Sequence, residues 1–361
     1  MKIMKAFLIF SVLLALVFFT VPASTLAEKV IEIKAATFHP VAHYLTEDAF
    51  RRYGEEVEKR TKGKVKFKWF FAGSLAKGPQ LVSAVESGLA DMAFGGTWAI
   101  IHKMPITSWL ELPFVVDSSR HAADIAWDMY LQIPEMQKEY KKVKFLGFFN
   151  TSICHISTLS EPVKNLEDLK GKRIATPSPT GVKTMKHLGI SPQRMIPPDL
   201  YMAIHRNMID GVLFPMAPLR SYKLTDLLAN HTVCSVYSGA NAIIMNKNTW
   251  KKLPPDVQKV FNDLRQSVGS LCGETLTTES AWVLEGLKAR GDKVYVLTDE
   301  EKARWKVKVK PMYKEWIAKM NKRGMNGQEI FNKIMKIAEE RRENPYKADS
   351  WWGEPGKKRT K

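Results

Sequence analysis

His39 and His43 have a spacing that can bind a metal ion. Two histidines four positions apart reach zinc from one face of a helix, and the motif HExxH adds a glutamate as general base. Here Pro-Val-Ala lies between them, so the glutamate is missing and Pro40 would open a helix rather than continue one. We predict that the two histidines do not act as ligands from one helical face, and that the protein holds no metal or other cofactor.

Motifs of catalysis are also missing from the rest of the sequence. The chain contains no GxSxG nucleophile motif, no phosphate-binding glycine loop and no prominent pair of carboxylates. Its cysteines, Cys154, Cys234 and Cys272, stand in no CxxC or metal-ligand spacing. Buried free thiols are favoured over a Cys154–Cys234 bridge, which stays open. The sequence therefore favours a binding protein, with a secreted enzyme as the alternative.

Aromatic and imidazole side chains at the ends of two predicted strands are the first candidates for ligand binding. Phe38 and His39 follow the predicted strand at residues 30–37, and Trp98 follows the predicted strand at residues 92–95. Open α/β sheets bind ligands beyond the carboxyl ends of their strands, and the two glycines before Trp98 would let backbone approach a ligand closely. We predict that these side chains line a binding cleft, against the alternative that they fill the core.

A second group of candidates is polar. Asn150 offers an amide to a ligand. His155 lies in an unusually polar strand start, where it would donate a hydrogen bond to a ligand or become cationic near its ordinary pKa of about 6.5. Thr176 and Ser178 follow another predicted strand and offer hydroxyls, although capping of a local turn is an equal alternative.

The elements that must position these residues alternate between strands and helices. Such an order predicts parallel sheets with helices on both faces. The predicted strands are residues 30–37, 64–71, 92–95, 145–151, 153–158, 242–245 and 293–297, and the predicted helices are residues 41–61, 79–87, 199–210, 254–290, 300–320 and 327–340. We expect an α/β fold whose chain passes repeatedly between two lobes, with the tryptophans at 351–352 packed as a latch.

Two segments are typical of a binding cleft. Residues 165–177 combine a short helical turn, a glycine break at Gly171 and a strand directed at a proline-bounded loop. Residues 198–211 are predicted to form a helix capped at its start by Asp199 and closed by Gly211 in the left-handed conformation. Neither segment holds a nucleophile or a metal cluster, which again favours binding over catalysis.

The first 27 residues have the pattern of a secretory signal. A basic start precedes an apolar run at residues 6–21 and the small residues Thr25 and Ala27, which predicts cleavage after Ala27. A permanent membrane anchor is the alternative, but the apolar run is short for a membrane span. We therefore expect an exported, periplasmic protein.

The chain is strongly basic, with a formal net charge of +18 at pH 7. Such an excess could serve nucleic acid, an anionic membrane or an acidic ligand. The basic residues are dispersed, apart from a run at residues 357–361, and no zinc-finger or RNP motif occurs. We predict a solvated basic surface on an exported protein that does not bind nucleic acid.

Several short motifs keep the order and spacing of a known family. They are Gly-Leu-Ala-Asp at 88–91, Leu-Pro-Phe at 112–114, Asp-Leu-Lys-Gly at 168–171, Tyr-Met-Ala-Ile at 201–204, Ile-Asp-Gly at 209–211, Met-Asn-Lys-Asn-Thr-Trp at 245–250 and Leu-Pro-Pro-Asp at 253–256. On these motifs the chain resembles the solute-binding proteins of tripartite ATP-independent periplasmic (TRAP) transporters, the DctP family.

The resemblance implies a two-lobed clamp of the periplasmic-binding-protein type with a long connecting helix. Such proteins trap a small solute between their lobes and deliver it to a membrane permease driven by an ion gradient. We expect lobe I at residues 28–152 and 241–281, lobe II at residues 153–240 and 282–361, and a monomer. A ligand-sensing partner of a membrane receptor kinase would use the same clamp and stays an alternative.

The resemblance also implies where the solute binds. The usual ligand of the family is an organic acid, held by an arginine in the strand after the Lys-Gly turn, and that position is Ala175 here. An arginine fork binds a carboxylate in a bidentate manner that lysine and histidine cannot reproduce. Arg173 should share the face of Ala175, but we expect it at the start of the strand, away from the cleft.

Two further positions depart from the family pattern. A second cationic position falls on or next to His155, and a polar position falls on Phe214. Together with Ala175, these departures imply a cleft that uses aromatic and imidazole contacts in place of charge. We therefore expect a partly apolar or aromatic acid, or a neutral solute, in preference to a plain dicarboxylate or sialic acid.

Overall fold

The computed structural model describes residues 30–347 and 351–352. Two β-sheets form within these residues, one of five strands and one of six. The strands are β1 (Ile31–Thr37), β2 (Val65–Phe70), β3 (Met92–Phe94), β4 (Val143–Asn150), β5 (Cys154–Thr158), β6 (Ile174–Thr176), β7 (Gln193–Arg194), β8 (Gly211–Pro215), β9 (Asn230–Val233), β10 (Ala240–Asn246) and β11 (Lys293–Val296). Helices alternate with these strands along the chain, as predicted.

Helices cover both sheets. They are α1 (Arg51–Arg60), α2 (Leu81–Ser87), α3 (Ser119–Gln132), α4 (Pro134–Glu139), α5 (Pro179–His187), α6 (Pro197–His205), α7 (Met216–Ser221), α8 (Lys247–Lys252), α9 (Pro255–Asp263), α10 (Arg265–Arg290), α11 (Asp299–Asn321) and α12 (Gly327–Glu343). Gly88 closes α2 with a φ of +81°. β10 is buried along its whole length, and its residues 242–245 form an apolar run, since both faces of the strand are covered.

The prediction of parallel sheets is correct only in part, because each sheet mixes parallel and antiparallel pairs. The first has the order β2-β1-β3-β10-β4, in which β10 alone runs against its neighbours. The second has the order β11-β9-β5-β8-β6-β7, in which β5 is antiparallel to both β8 and β9. The strands after β4 and before β10 belong to the second sheet, so the chain leaves the first sheet and returns to it.

Three connections join the two lobes built on these sheets. The chain crosses at residues 151–153, crosses back at residues 234–239, and crosses again along α10. α10 packs on α3 and β4 in the first lobe and on α7 in the second. The two-lobed α/β clamp with a long connecting helix is therefore confirmed.

The C-terminal helices also bridge the lobes. In α11, Glu301 accepts a hydrogen bond from the backbone amide of Leu166, and Trp316 Nε1 donates to the carbonyl of Pro105. α12 packs against α3 of the first lobe. The lobe bounds given above stay a prediction; they place α12 in lobe II, although in the structure it packs on α3 of the first lobe as well as on α11.

Several predicted helix bounds differ from the structure. The helix predicted at residues 41–61 begins with a turn at 40–43 and a π-helical turn at Thr46–Phe50. The helix predicted at residues 254–290 is divided at Leu264 into α9 and α10. α6 begins after Ile196 and not at Asp199, because Pro197 and Pro198 open its first turn.

Gly211 has a different role from the predicted one. The helix before it ends at His205, and Asn207 takes the left-handed conformation with a φ of +53°. Gly211 instead begins β8, where a Cβ would lie 2.4 Å from the carbonyl oxygen of Ser157. A glycine is needed here because β5 and β8 approach closely.

The tryptophans at 351–352 pack as predicted. Trp352 is 8 % exposed and lies in the core of the first lobe. Its Nε1 donates to Glu274 at 2.8 Å, and its carbonyl accepts from Arg52 at 3.0 Å.

The predicted signal at residues 1–27 lies outside the described residues, and none of the helices inside them is long and apolar enough to span a bilayer.

The cysteines are free thiols. Cys154, Cys234 and Cys272 are all buried and none is bonded to another. Burial raises the pKa of Cys234 to about 12 and also raises the pKa of the other two thiols. The favoured interpretation of the cysteines as small buried apolar groups is therefore correct.

We predict that Gly211→Ala destabilises the protein by about 1–3 kcal/mol, since the added methyl overlaps the backbone of β5. Gly286→Ala is the matched control. Gly286 is an exposed position of α10 where a Cβ would meet nothing within 4 Å, so alanine should be neutral or stabilising by up to about 1 kcal/mol. Urea unfolding of both variants measures the difference, and equal stabilities would contradict the close approach.

Candidate functional site

The crossings determine which strand ends face the opposite lobe. β4 ends and β5 begins at the first crossing, and β9 ends and β10 begins at the second. β3 is antiparallel to β10 and parallel to β1, so β1 and β3 end at the crossing edge of the first sheet. β8 is antiparallel to β5 and parallel to β6, so both end at the crossing edge of the second sheet. The residues at these ends form two half-sites.

The first half-site consists of Phe38, His39 and Trp98. The ring of Phe38 lies 4.0 Å from that of His39 and 6.3 Å, edge to face, from that of Trp98. Trp98 is 40 % exposed, and the other two side chains are half-buried. The structure thus brings together the three side chains predicted for this side of the cleft and leaves part of each accessible.

Glycines make room for this aromatic group. Gly95 and Gly96 have positive φ values of +101° and +89°. A Cβ on Gly95 would lie 3.0 Å from Phe38 Cε1, and the amide of Gly96 donates to Oδ1 of Asn241 at 3.2 Å. The sequence predicts that these glycines admit a ligand; in the structure the space beside Gly95 is taken by the Phe38 ring.

No helix presents His39 and His43 together, yet their rings are neighbours. The ring centroids are 4.1 Å apart with planes tilted by 32°, because residues 40–43 form a turn. Nδ1 of His43 accepts from the amide of Leu45. Burial, and then the neighbouring His43, lowers the pKa of His39 well below its usual value. Within residues 30–347 and 351–352, no three metal-ligating side chains form a cluster.

The second half-site consists of His155, Ala175 and Phe214. His155 pairs with Phe214 between β5 and β8, and Ala175 pairs with Val212, two residues before Phe214. Side chains alternate between the faces of a strand, so these residues share one face of the second sheet. The three positions that the family resemblance links to the solute are therefore neighbours.

Ala175 and Phe214 have apolar surroundings. Ala175 is 0 % and Phe214 4 % exposed, and both belong to one buried cluster that includes Leu200 and Leu219. The Phe214 ring meets Tyr222 edge to face at 5.9 Å. Core packing thus accounts for most of the Phe214 surface, and a small part of the ring is left for a solute.

His155 is the polar group of the second half-site. It is half-buried, and its Nδ1 accepts a hydrogen bond of 3.1 Å from the amide of Ser235. The proton of the neutral ring is therefore assigned to Nε2, which has no hydrogen-bond partner in the described part of the chain and can donate to a ligand. Burial, and then Lys302 and His231, lowers the pKa of His155 to about 4. The expectation of a cation near pH 6.5 is wrong.

Arg173 is paired outside the cleft, as expected. Its backbone amide donates to the Asp210 carboxylate at 2.7 Å, and its Nε and Nη2 do so at 3.1 and 2.7 Å. The hydrogen bond from Arg173 lowers the pKa of Asp210 despite partial burial. β5, β6 and β8 themselves contain no lysine or arginine, so these strands offer no cation to the second half-site.

Thr176 and Ser178 both make hydrogen bonds within the protein, and a contact of Thr176 with a solute stays a prediction. Thr176 is fully buried, and its hydroxyl lies 3.3 Å from that of Tyr237. It follows Ala175 in β6 and therefore points to the other face of the sheet. Ser178 caps α5 by accepting from the amides of Thr180 and Gly181 at 3.1 and 3.3 Å. Turn capping is thus the correct interpretation of Ser178, and the Thr176 hydroxyl lies away from the second half-site.

Asn150 lies at the first crossing with one polar atom unpaired. Its Nδ2 donates to Ser238 Oγ at 2.8 Å. Asn150 Oδ1 and Ser152 Oγ are buried and have no hydrogen-bond partner among the described residues. An unpaired buried polar atom costs about 1–3 kcal/mol, so a water or a solute group at this position would stabilise the structure.

Glu111 is a residue of this region that sequence analysis missed. Its side chain accepts from the amide of Ala240 at 3.1 Å and from the hydroxyl of Thr180 at 3.0 Å. Ala240 begins β10 in the first sheet and Thr180 lies in α5 on the second lobe, so one carboxyl links the lobes. Burial raises the pKa of Glu111 to about 7, against the opposing effect of both hydrogen bonds. The one sequence feature that could have pointed to Glu111 is its position directly before the Leu-Pro-Phe motif.

Two surface concavities are bordered by residues outside the two half-sites. One of about 380 Å³ is bordered by Arg120, Glu274 and Tyr346, where Arg120 already donates to Glu274 and to the Tyr346 carbonyl. The other, of about 590 Å³, lies between residues 73–77 and α2. Neither contains a half-site residue. We place the site at the crossing edge, because open α/β sheets bind ligands at strand ends that meet in this way.

Two α/β lobes, joined by three crossings and facing each other across strand ends, define the fold of a periplasmic solute-binding protein. The DctP family, described as bacterial extracellular solute-binding protein, family 7, matches residues 35–320. The chain belongs to this family, whose members serve TRAP transporters. The resemblance stated from the motifs is confirmed, and the family consists of binding proteins.

Three known proteins illustrate the similarity. The 2,3-diketo-L-gulonate-binding periplasmic protein YiaO of Escherichia coli is 24% identical over 252 residues, which cover 70% of this chain and 76% of that protein. A TRAP periplasmic solute-binding protein of Desulfovibrio salexigens has a TM-score of 0.80 and 26% identity, covering 88% of this chain and 98% of that one. A TRAP solute-binding protein of Rhodoferax ferrireducens, in complex with copurified benzoate, has a TM-score of 0.79 and 21% identity, covering 87% and 99%.

We predict that Glu111 makes stability depend on pH. Its pKa of about 7 in the folded protein lies above the ordinary 4.5, so the folded state holds a proton that the unfolded chain releases. The resulting stabilisation is complete below pH 4.5 and is lost as the pH rises through 7, at no more than about 1.4 kcal/mol per pH unit. Thermal unfolding from about pH 5 to about pH 8 should therefore show a smaller slope for Glu111→Gln than for the natural protein.

Glu139 provides the internal reference for this measurement. Burial also raises its pKa to about 7, and it is unchanged in Glu111→Gln, so the difference between the two proteins isolates Glu111. Identical slopes would mean that the Glu111 carboxyl does not titrate in this window.

Proposed function

We propose that the protein captures a small, partly apolar or aromatic acid, or a neutral solute, between its lobes. It acts in the periplasm as a monomer after removal of residues 1–27, catalyses no reaction, and delivers the solute to the membrane subunits of a TRAP permease. The observation that carries the solute class is Ala175, which replaces the arginine that the family pattern places on this face of the sheet.

Electrostatics argue against a compact dianion in this cleft. Taking an ionised carboxylate out of water without a partner costs several kcal/mol, and a hydrogen bond to a charged group returns about 1.5–3 kcal/mol. The second half-site offers one side-chain donor, Nε2 of the neutral His155. A solute with one carboxylate could be held by that donor and by backbone amides. A solute with two carboxylates would leave one charge unpaired, whereas a neutral solute avoids the cost of burying a charge.

Aromatic side chains favour a solute with an apolar part. Phe38 and Trp98 on the first lobe offer accessible aromatic surface, to which Phe214 on the second lobe, 4 % exposed, would add a small area. An aromatic pair in offset or edge-to-face geometry adds about 0.5–1.5 kcal/mol beyond the buried area. The similarly folded protein of Rhodoferax ferrireducens contains benzoate, which supports an aromatic acid as a solute class for this fold.

The crossing edge supplies a means of closure. A solute shifts a clamp towards its closed form only if it binds that form better than the open one. Asn150 Oδ1 and Ser152 Oγ lie at the first crossing without a partner among residues 30–347 and 351–352, so a hydroxyl or amide of the solute, or a water carried with it, would gain hydrogen bonds there. Such bonds would contribute to the difference in affinity that closure requires.

A thermal-shift screen tests the solute class. The purified protein is mixed with aromatic acids, dicarboxylates, sugars, amino acids and neutral amides, each in large excess. A ligand at about a hundred times its Kd adds about 2.7 kcal/mol of stability, and we expect this shift from aromatic or partly apolar compounds. Hits confined to small dicarboxylates of submicromolar affinity would contradict the proposal.

For the strongest hit, we predict that His155→Ala raises the Kd about tenfold, the effect of losing one hydrogen bond of about 1.4 kcal/mol. Since burial holds the pKa of His155 at about 4, this group should contribute no change in affinity between about pH 6 and about pH 8. Isothermal titration calorimetry measures both quantities.

His205→Ala is the matched control for this prediction. His205 is an exposed imidazole at the end of α6, away from both half-sites, and its removal should leave the Kd unchanged. An unchanged Kd in His155→Ala would remove His155 from the site.

A further inference from the structure

Helix α11 carries a basic surface that solute capture does not use. Its core-facing residues recur every three or four positions and are buried: Trp305, Val309, Met312, Trp316 and Met320. The opposite side faces solvent along most of the helix. One end of α11 is hydrogen-bonded to Leu166 in the second lobe, and the other end is hydrogen-bonded to Pro105 in the first. The solvent side of α11 therefore extends across both lobes.

The solvent side of α11 has a large excess of positive charge. From residue 302 to residue 323 the chain contains nine basic residues and a single acidic one, Glu315. Glu315 is already paired with Lys183 and His187, and Arg304 is paired with Glu167 and Glu301. Five exposed lysines make no ion pair with any described residue: Lys306, Lys308, Lys310, Lys314 and Lys322. These five are the lysine face.

Repulsion between the closely spaced lysines of the lysine face destabilises the helix. Lys306, Lys310 and Lys314 follow one another at four-residue intervals, where like charges repel on a helix. No acid lies between them on this side to relieve the repulsion. From Lys306 to Lys322 the row is about 24 Å long at 1.5 Å per residue, so the lysine face is an extended line rather than a pocket.

Small apolar side chains lie between the lysines. Ala303, Val307, Pro311 and Ala318 are spaced to share one side of the helix and are all exposed, with Val307 at 62 %. Lysine stems can lie along apolar surface while their ammonium groups reach outward. The large apolar face of α11 is buried in the protein, so attraction to a membrane would come from the lysines, which anionic headgroups attract electrostatically.

We propose that the lysine face docks the protein on anionic phospholipid headgroups of the membrane that contains its permease. All five unpaired cations are lysines, whose compact charges suit a diffuse anionic surface, whereas specific pairing with protein carboxylates favours the arginine fork. The arginine that α11 does contain near this side is already paired. This surface function is independent of which solute the cleft binds.

Flotation with lipid vesicles tests this proposal with the purified protein. Vesicles of phosphatidylglycerol and phosphatidylethanolamine in equal parts are compared with vesicles of phosphatidylcholine, at about 50 mM and about 300 mM NaCl. We expect binding to the anionic vesicles at low salt, loss at high salt, and none to phosphatidylcholine. Absence of binding to anionic vesicles at low salt would overturn the proposal, and so would equal binding to phosphatidylcholine.

Two triple variants locate the binding surface. The combined change Lys306→Gln, Lys310→Gln and Lys314→Gln should lower binding to anionic vesicles by at least about tenfold. The control combines Lys247→Gln, Lys251→Gln and Lys252→Gln in α8, which removes three exposed charges from another surface and should retain binding. Equal losses in the two variants would indicate a general charge effect and overturn the proposal.

The basic run at residues 357–361 is tested separately, by changing its lysines and arginine to glutamine. Retained binding supports the lysine face, and complete loss assigns the binding to that run and overturns the proposal. Solute affinity of the α11 variant should match that of the natural protein. Failure of vesicle binding and failure of solute binding are therefore distinguishable.

Discussion

The two short segments that carry the chain between the sheets satisfy each other's backbone hydrogen bonds. The amide of Thr151 donates to the carbonyl of Gly239, and the amide of Gly239 donates to the hydroxyl of Thr151, both at 2.8 Å. The amide of Cys154 donates to the carbonyl of Tyr237, and Cys154 accepts in turn from Val236. Buried backbone groups must be paired, and here the two crossings pair with each other. This arrangement keeps β4 next to β10 and β5 next to β9, and so fixes the strand ends that form the half-sites.

The chemistry around the crossings is polar but almost without charge. His155 is held neutral by burial, Asn150 bonds to Ser238, and the Glu111 carboxyl depends on one amide and one hydroxyl instead of a cation. Groups of this kind orient a solute through hydrogen bonds, which are directional and shorter in range than charge. Discrimination would then depend on the shape of the solute and the positions of its polar atoms, and less on its net charge.

The parts of this structure that local sequence determines were predictable. The strand predicted at residues 64–71 contains β2, and the helix predicted at residues 79–87 contains α2. Local sequence did not reveal the contacts of Glu111 and Asn241, because their partners are remote in sequence. Glu111 binds residues 69 and 129 positions away, and Asn241 binds a glycine 145 positions away. The sequence also could not predict that His155 is neutral. The pKa of His155 depends on its burial by other elements, and the local sequence does not show which elements these are.

The three buried thiols have a consequence for how the chain matures. Nucleophilic attack on an oxidant or a disulfide requires the thiolate, and burial of Cys154, Cys234 and Cys272 raises each pKa far above neutrality. The folded molecule therefore contains thiols that react only when the structure opens. Folding needs no oxidative step, yet until it is complete each thiol can be captured by a wrong disulfide. In an oxidising compartment, rapid burial of these residues would be a form of chemical protection.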